Sequence, residues 1–282
     1  MRFWQSLIFT ETEQLLEIAR TADDLGFTGV VLPDHVALPE HTESSYPYSD
    51  YELEPTRPFL DPWPAIASMA AVTTKLLFST YVYVLPMRDP FSVAKSLATT
   101  ALLTQGRVAL GAGVGWLREE IELLGHDFES RGKRCDEMLE VMRMLFDEGS
   151  GELHGESFDF PRVHALPLPG HPIPIYIGGH SDAAVRRAAR HDGWMGLDFP
   201  VDEVPALIER IRSARREIGR DSEPFEIFLS PRGQADRDTY QRLEDMGVTA
   251  ALLPSWAMQG GDFRSLEAKQ KQMEATAAAL FR

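Results

Sequence analysis

The segment Leu32–Val36, which reads Leu-Pro-Asp-His-Val, holds the side chain of this sequence best suited to moving a proton. It follows a short apolar run that is typical of a buried strand. An imidazole titrates near neutral pH, so His35 beside Asp34 can bind the polar edge of a ring or transfer a proton. A loop histidine that only bonds a backbone carbonyl is the alternative, and both interpretations stay open at this point.

A second segment has the composition of a phosphate site. Residues 175–182 read Ile-Tyr-Ile-Gly-Gly-His-Ser-Asp and precede an amphipathic stretch predicted to be a helix. Phosphate binds readily to the backbone N–H groups at the start of a helix. Those groups belong here to Gly178, Gly179, His180 and Ser181. The Ser181 hydroxyl also suits a helix cap, and a plain capped turn is the alternative. We favour the phosphate site.

Two further segments suit the binding of a planar ring. Residues 111–116 read Gly-Ala-Gly-Val-Gly-Trp, so the backbone can approach a ligand closely beside the aromatic surface of Trp116. The spacing is not that of a dinucleotide fingerprint. Residues 79–90 are apolar except for a few polar side chains and one arginine, which suits a wall behind a ring. Composition alone favours a core strand that runs into a turn.

These segments each follow a predicted strand, and strands alternate with helices along the chain. The predicted strands are Phe3–Phe9, Gly29–Leu32, Leu76–Val84, Arg107–Gly111, Ile173–Ile177, Trp194–Leu197, Phe225–Leu229 and Ala250–Leu253. The predicted helices are Thr12–Leu25, Pro90–Thr104, Lys133–Phe146, Ala183–Arg190, Val201–Ile218, Asp238–Met246 and Ser265–Leu280. Short apolar runs of this kind are typical of parallel strands buried on both faces.

Eight strands in alternation with helices favour a single (β/α)₈ TIM barrel, an α/β fold, over an open doubly wound sheet. We predict one domain over residues 1–282. In such barrels the functional residues follow the carboxyl ends of the strands, which is where the segments above lie. The long stretches 36–62 and 149–172 are rich in Pro, Gly and polar residues, and we expect them to be extended loops.

Composition excludes several classes of partner. The net charge is −15, from 43 acidic and 28 basic residues, so nucleic acid and anionic membranes are poor partners. The single cysteine, Cys135, allows no internal disulfide and is interpreted as an incidental residue. We see no signal peptide and no membrane-spanning run, and expect a cytoplasmic protein.

Motifs for other chemistry are missing from the sequence. HExxH, paired CxxC, GxSxG and GxxxxGK[ST] patterns do not occur, which argues against a metal enzyme, a serine hydrolase and a P-loop enzyme. The acidic run Glu119–Glu122 is interpreted as a solvated helix face.

Together the segments resemble the bacterial luciferase-like superfamily of flavin- and deazaflavin-dependent oxidoreductases, from Phe3 to about Leu253. The matching motifs are Leu32–Val36, Val84–Pro90, Leu110–Glu120 and Pro174–Gly179. The chain looks most like the subgroup that uses the deazaflavin coenzyme F420. The resemblance implies an oxidoreductase, a small-molecule substrate and a homodimer.

In that family the cofactor phosphate lies on the loop that matches Gly178–Ser181. The ring leans on a bulge after the third strand, often with a non-proline cis peptide, which here falls near Tyr81–Val82. The resemblance thus implies cofactor contacts from Asp34, Tyr81, Val82, Gly113, Val114, Gly178, Gly179, His180 and Ser181. It implies a catalytic role for His35, with Trp116, Tyr46 and Tyr48 of the loop 46–51 beside the substrate.

One departure from the family pattern concerns an acid. Sugar-phosphate dehydrogenases of this superfamily carry an acidic residue in the glycine segment, at a place that matches Val114. Valine cannot exchange a proton, which argues against a relay between this position and His35 and against a sugar-phosphate substrate. His35 is then the only titratable side chain that the sequence places near the ring.

Three functions remain open from the sequence. Hydride transfer with coenzyme F420 is the leading one. A reduced-FMN monooxygenase would use the same phosphate loop and the same ring wall. A flavin- or deazaflavin-binding protein without catalysis is the third.

Overall fold

Parallel strands form the centre of the molecule. The computed structural model describes residues 1–48, 52–233, 235–256 and 264–281. In chain order, the strands of these residues are β1 (Arg2–Ser6), β2 (Gly29–Leu32), β3 (Leu77–Thr80), β4 (Tyr83–Val84), β5 (Val108–Gly113), β6 (Ser150–His154), β7 (Asp159–His164), β8 (Ile175–Gly178), β9 (Gly193–Phe199), β10 (Glu226–Pro231) and β11 (Ala250–Leu253).

All strands except β6 and β7 belong to one closed sheet. Its hydrogen-bonded order is β3-β2-β1-β11-β10-β9-β8-β5-β4, and a further pairing between β3 and β5 closes the circle. The short β4 continues the third barrel strand. Counted with β3 as one strand, it gives the barrel eight parallel strands over the described residues. This confirms the predicted (β/α)₈ barrel. The strands β6 and β7 form a separate antiparallel hairpin.

Helices surround the barrel and connect its strands. Those of the described ranges are α1 (Leu15–Leu25), α2 (Pro62–Ala70), α3 (Pro90–Leu103), α4 (Arg118–Leu123), α5 (Arg131–Glu148), α6 (Asp182–Ala189), α7 (Val204–Glu217), α8 (Arg237–Met246) and α9 (Leu266–Leu280). Side-chain oxygens cap five of them, from Asp61, Asp89, Ser181, Asp236 and Ser265. These caps satisfy N–H groups that the first turn of a helix leaves free.

Two helices and the hairpin are missing from the sequence prediction. The helix α2 starts Pro-Trp-Pro, which suggests a loop, although proline is well tolerated in a first helical turn. The helix α4 has six residues, fewer than any of the predicted helices. The expected loop 149–172 contains the hairpin, whose second strand is largely exposed and therefore lacks an apolar face.

Apolar side chains fill two layers. The larger layer lies between the strands and the helices. The smaller one fills the barrel itself and includes Trp4, Tyr176, Met195 and Phe228. Because the barrel interior is filled, a ligand cannot enter it and would bind over the carboxyl ends of the strands, which we call the mouth of the barrel. Cys135 is buried in the outer layer, and burial raises the pKa of its thiol to about 12, so the thiol stays protonated at neutral pH. None of the described helices is long and apolar enough to cross a membrane.

Candidate active site

The third barrel strand is bulged where it reaches the mouth. Phe78 and Ser79 pair with Val108 and Ala109, whereas Tyr83 pairs with Ala112. One extra residue of the third strand is therefore taken up between the two pairings. The peptide between Tyr81 and Val82 is cis, at the position that the family resemblance implies.

The Val82 side chain projects from this bulge against two glycines on neighbouring strands. A Cβ added to Gly113 would lie 2.4 Å from Cγ2 of Val82, and one added to Gly178 would lie 2.6 Å from Cγ1. A Cβ on Gly111 would lie 1.9 Å from the Thr80 carbonyl oxygen. The structure thus gives these glycines a role beside the approach of a ligand: they make room for the bulge.

His35 lies at the carboxyl end of β2 and is paired with an acid. Its Nδ1 lies 2.6 Å from Oε2 of Glu120, a side chain that is 1% exposed. The other carboxylate oxygen accepts hydrogen bonds from the backbone N–H groups of Val36, at 2.6 Å, and Ala37, at 3.1 Å. Glu120 belongs to the short helix α4, so its carboxylate links this helix to the residues that follow β2.

The interpretation of Glu119–Glu122 as a solvated face is wrong for Glu120, which is buried. It is incomplete for Glu119, because this carboxylate also bonds the backbone of another segment. Oε1 of Glu119 accepts from the N–H groups of Glu43 and Ser44. Burial raises the pKa of Glu119, but these bonds and one from the Ser44 hydroxyl outweigh it and lower the pKa to about 2. Both acids hold the loop that follows β2.

A sequence signal for Glu120 exists. Leu117, Glu120, Ile121 and Leu124 have the i, i+3, i+4, i+7 spacing of one helix face. Leu117 and Ile121 are buried, and Leu124 packs against the same small cluster as Ile121. That spacing places Glu120 on the inner face.

Asp34 lies beneath the mouth. Its carboxylate forms a two-pronged ion pair with Arg88, at 2.7 and 2.8 Å, and accepts the Val84 N–H at 2.9 Å. The side chain is 1% exposed. Its carboxylate thus holds the turn after the bulge, through Val84 and Arg88. A contact between Asp34 and the cofactor stays a prediction.

The predicted phosphate loop leads into α6 as expected. Ser181 caps the helix by accepting the Ala184 N–H at 3.2 Å, which confirms the predicted cap. Gly179 has φ +119°, a conformation that favours glycine. The His180 ring packs 5.2 Å from Phe199, and within the described ranges its Nε2 is buried without a hydrogen-bond partner. Burial, then Arg210 and Arg232, lowers the pKa of His180.

Two tyrosines of the loop after β2 cover this site. The centroid of the Tyr48 ring lies 4.3 Å from that of His180. The Tyr46 ring lies 5.4 Å from Tyr48 and 5.3 Å from Trp116. Burial raises the pKa of both phenols, so they are neutral. Residues 49–51 of the predicted substrate loop lie outside the described residues.

Aromatic rings also surround His35. Its ring lies 4.7 Å from Phe59 and 6.3 Å from Trp116, both edge-on. Phe9 packs 5.8 Å from Phe59. We call the surroundings of His35 that Phe59, Phe9, Trp116 and Tyr46 line the aromatic hollow. The structure brings together His35, Trp116 and Tyr46 as predicted, and it adds Glu120 and Phe59, which the sequence interpretation missed.

The polar atoms at the mouth fit a flavin or a deazaflavin. The N–H groups at the start of α6 can hold a phosphate, and His180 Nε2 is a further polar atom without a partner among the described residues. The Tyr81 hydroxyl, next to the bulge, is likewise buried and unpaired in the part of the chain that the structure describes. A buried polar atom of this kind costs stability unless a ligand satisfies it.

Comparisons with known proteins are consistent with this geometry. The family model described as luciferase-like monooxygenase matches residues 6–281. An uncharacterized protein of Mycobacterium tuberculosis is 39% identical over 280 residues, which cover 97% of this chain and 96% of that protein. An F420-dependent glucose-6-phosphate dehydrogenase of Amycolatopsis mediterranei is 27% identical over 282 residues, covering 95% and 75%.

A solved structure has the same fold. It is an F420-dependent secondary alcohol dehydrogenase in complex with an F420–acetone adduct, with a TM-score of 0.79 and 17% identity. The match covers 99% of this chain and 98% of that chain. At this identity the likeness shows the fold alone.

Proposed function

Because this chain belongs to the luciferase-like monooxygenase family, we propose that it is an oxidoreductase that transfers a hydride between coenzyme F420 and a small organic substrate. The observation that carries the proposal is the bulge at Tyr81–Val82, seated against the glycines of β5 and β8 beside the start of α6. The bulge would support a planar ring, and the N–H groups at the start of α6, at the same end of the barrel, would bind a phosphate.

The phosphate and the ring of the cofactor each have residues that would hold them. The backbone N–H of Gly179 already donates to the Met195 carbonyl at 3.3 Å. The N–H groups of His180 and Ser181 would therefore bind the phosphate, with the unpartnered His180 Nε2 beside them. The bulge at Tyr81–Val82 would support one face of the ring. When bound, the deazaflavin would supply or accept the hydride.

His35 would handle the proton that accompanies the hydride. In the direction of reduction, a carbonyl carbon gains the hydride and its oxygen needs a proton, which the doubly protonated ring of His35 would donate, leaving the neutral ring. In the reverse direction the ring would take the hydroxyl proton. Trp116, Phe59 and Tyr46 would keep water away from this oxygen, because they wall the aromatic hollow.

We do not carry the sugar-phosphate substrate of the Amycolatopsis relative over to this chain. Two arginines near the mouth are already paired: Arg57 with Glu54, and Arg232 with Asp198. The aromatic hollow suits an uncharged organic molecule better than a second phosphate group.

A reduced-FMN monooxygenase is the second candidate. It is supported by the description of the matching family model and by the shared need for a phosphate loop and a ring wall. The carbon that replaces N5 of flavin in a deazaflavin does not support the same oxygen chemistry, so the cofactor decides between the two.

Parallel titrations of the ligand-free protein with coenzyme F420 and with FMN test the proposal. We expect tighter binding of F420, followed by oxidation of reduced F420 with a ketone, aldehyde or enone. Tighter binding of FMN, with oxygen consumption, would support the monooxygenase instead. Binding of F420 without turnover of any such substrate would favour the non-catalytic alternative.

A further inference from the structure

We propose that Glu120 is the positioning residue of His35: its carboxylate keeps the proton of the neutral ring on Nδ1 and so leaves Nε2 to act in the aromatic hollow. The consequence for turnover rests on the function proposed above. The assignment of the proton does not, since it concerns two side chains of the ligand-free protein.

The contacts of Glu120 divide between its two oxygens. Oε1 accepts from two backbone N–H groups, those of Val36 and Ala37. Oε2 is left for His35 Nδ1, at 2.6 Å. An ionised carboxylate only accepts hydrogen bonds, so the nitrogen that faces it has to carry the hydrogen.

The opposite edge of the ring has a different environment. In the ranges that the structure describes, no protein group bonds Nε2, and the neighbouring rings are those of Phe59 and Trp116. The His35 side chain retains 13% exposure, whereas Glu120 retains 1%. Nε2 is therefore the ring nitrogen available to a substrate oxygen. Glu120 is buried and cannot reach the substrate itself.

The same carboxylate fixes where the ring stands. Glu120 lies in the first turn of α4, and its three partners are consecutive residues at the end of β2. A ring held by a buried acceptor at one nitrogen has one tautomer and one orientation, whereas a free ring samples two of each. Valine at position 114 cannot take part in a proton relay. Glu120 instead acts on His35 through Nδ1, the ring nitrogen that faces away from the substrate.

Glu120→Gln gives a sharp test, because the backbone decides how the amide is oriented. Two N–H donors face the position of Oε1, so the glutamine oxygen takes that place and its NH₂ group faces His35. An imidazole can move its proton, whereas a backbone N–H cannot become an acceptor. The neutral ring should therefore invert, with Nδ1 as acceptor and the proton on Nε2.

Nitrogen-15 NMR of histidine-labelled, ligand-free protein measures this directly, at a pH high enough for the His35 signals to be those of the neutral ring. His35→Gln assigns the signal. We expect the Nδ1–H form in the wild type and the Nε2–H form in Glu120→Gln. Glu119→Gln is the matched control: it changes the adjacent acid, which bonds the same loop, and should leave the tautomer unchanged.

Kinetics then test the consequence. Glu120→Gln should lower kcat by about 10²-fold or more with little change in KM, within the range that general acid–base catalysis contributes. An Nε2–H ring in the wild type overturns the proposal even if the glutamine variant does not fold. So does an unchanged tautomer in a folded Glu120→Gln. Inversion in a protein that shows no turnover with either cofactor supports the positioning role and contradicts only the proposed function.

Discussion

Val82 occupies the space into which a side chain at Gly113 would project, since an added Cβ there would lie 2.4 Å from Cγ2 of the valine. The other methyl group of Val82, Cγ1, would lie 2.6 Å from a Cβ added to Gly178. One side chain of the bulge thus interlocks with two further strands of the barrel.

Gly113→Ala should therefore destabilise the protein by about 1–3 kcal/mol, the usual cost of overpacking a filled site. Adding Val82→Ala should remove most of that penalty, because the clashing methyl group is gone. Urea unfolding of the two single variants and the double variant measures the coupling. Additive effects would contradict the contact. Gly132→Ala, where an added Cβ has nothing nearer than 3.6 Å, is the control and should not destabilise.

Gly179→Ala should weaken cofactor binding by at least about tenfold, which corresponds to 1.4 kcal/mol. The reason is its φ of +119°, a conformation that side chains rarely adopt and that directs the N–H groups before α6. Isothermal titration with the cofactor measures the change. Gly125→Ala carries a similar backbone penalty at φ +83°, with free space around its Cβ. Equal losses in the two variants would show that the phosphate binds elsewhere.

His35→Ala should lower kcat by about 10²–10⁴-fold while most cofactor affinity is kept, because the ring moves the proton and does not hold the phosphate. Steady-state kinetics per folded molecule, with cofactor titration, check this. His35→Gln serves as a second variant that keeps an N–H donor on the side chain but cannot titrate, and it should be equally slow. Reduced stability with an unchanged kcat would assign His35 a purely structural role.

His191 should make the protein less stable in acid. Burial, then Arg143, lowers the pKa of this histidine from 6.5 to about 4. Between these values the unfolded chain binds a proton that the folded protein refuses, so stability falls as the pH drops from about 6.5 to about 4. The slope attributable to one proton is at most about 1.4 kcal/mol per pH unit.

Urea unfolding between neutral pH and about pH 4.5 measures this loss, and His191→Gln should reduce it. His154→Gln, on the exposed hairpin, is the control and should behave as the wild type. An identical pH dependence in wild type and His191→Gln would contradict the assignment.

The fold was predictable because its signals are local. Val30, Val31 and Leu32 form an apolar run between a helix stop and a Pro-Asp turn, and they are buried on both faces as parallel strands require. The Ser181 cap was predictable for the same reason, since it depends on residues three positions apart.

The site was predictable only in part because its contacts are not local. His35 and Glu120 are 85 residues apart, so the spacing that places Glu120 on an inner helix face does not show which residue it meets. The placement of Val82 between Gly113 and Gly178 depends on the register of three strands. Such relationships follow from closure of the barrel, so a motif-by-motif interpretation of the chain does not show them.

The position of Tyr48 over His180 has a consequence for selectivity among anions. A protein that covers its own binding site binds every ligand more weakly, by the fraction of time the site is open. An isolated phosphate ion has few contacts with which to overcome that factor. A cofactor that also rests its ring on the bulge has many. If the phosphate binds at the start of α6 as proposed, Tyr48 would raise the Kd of every anion by the same factor, and only a ligand with further contacts, such as a ring on the bulge, would still bind at low concentration.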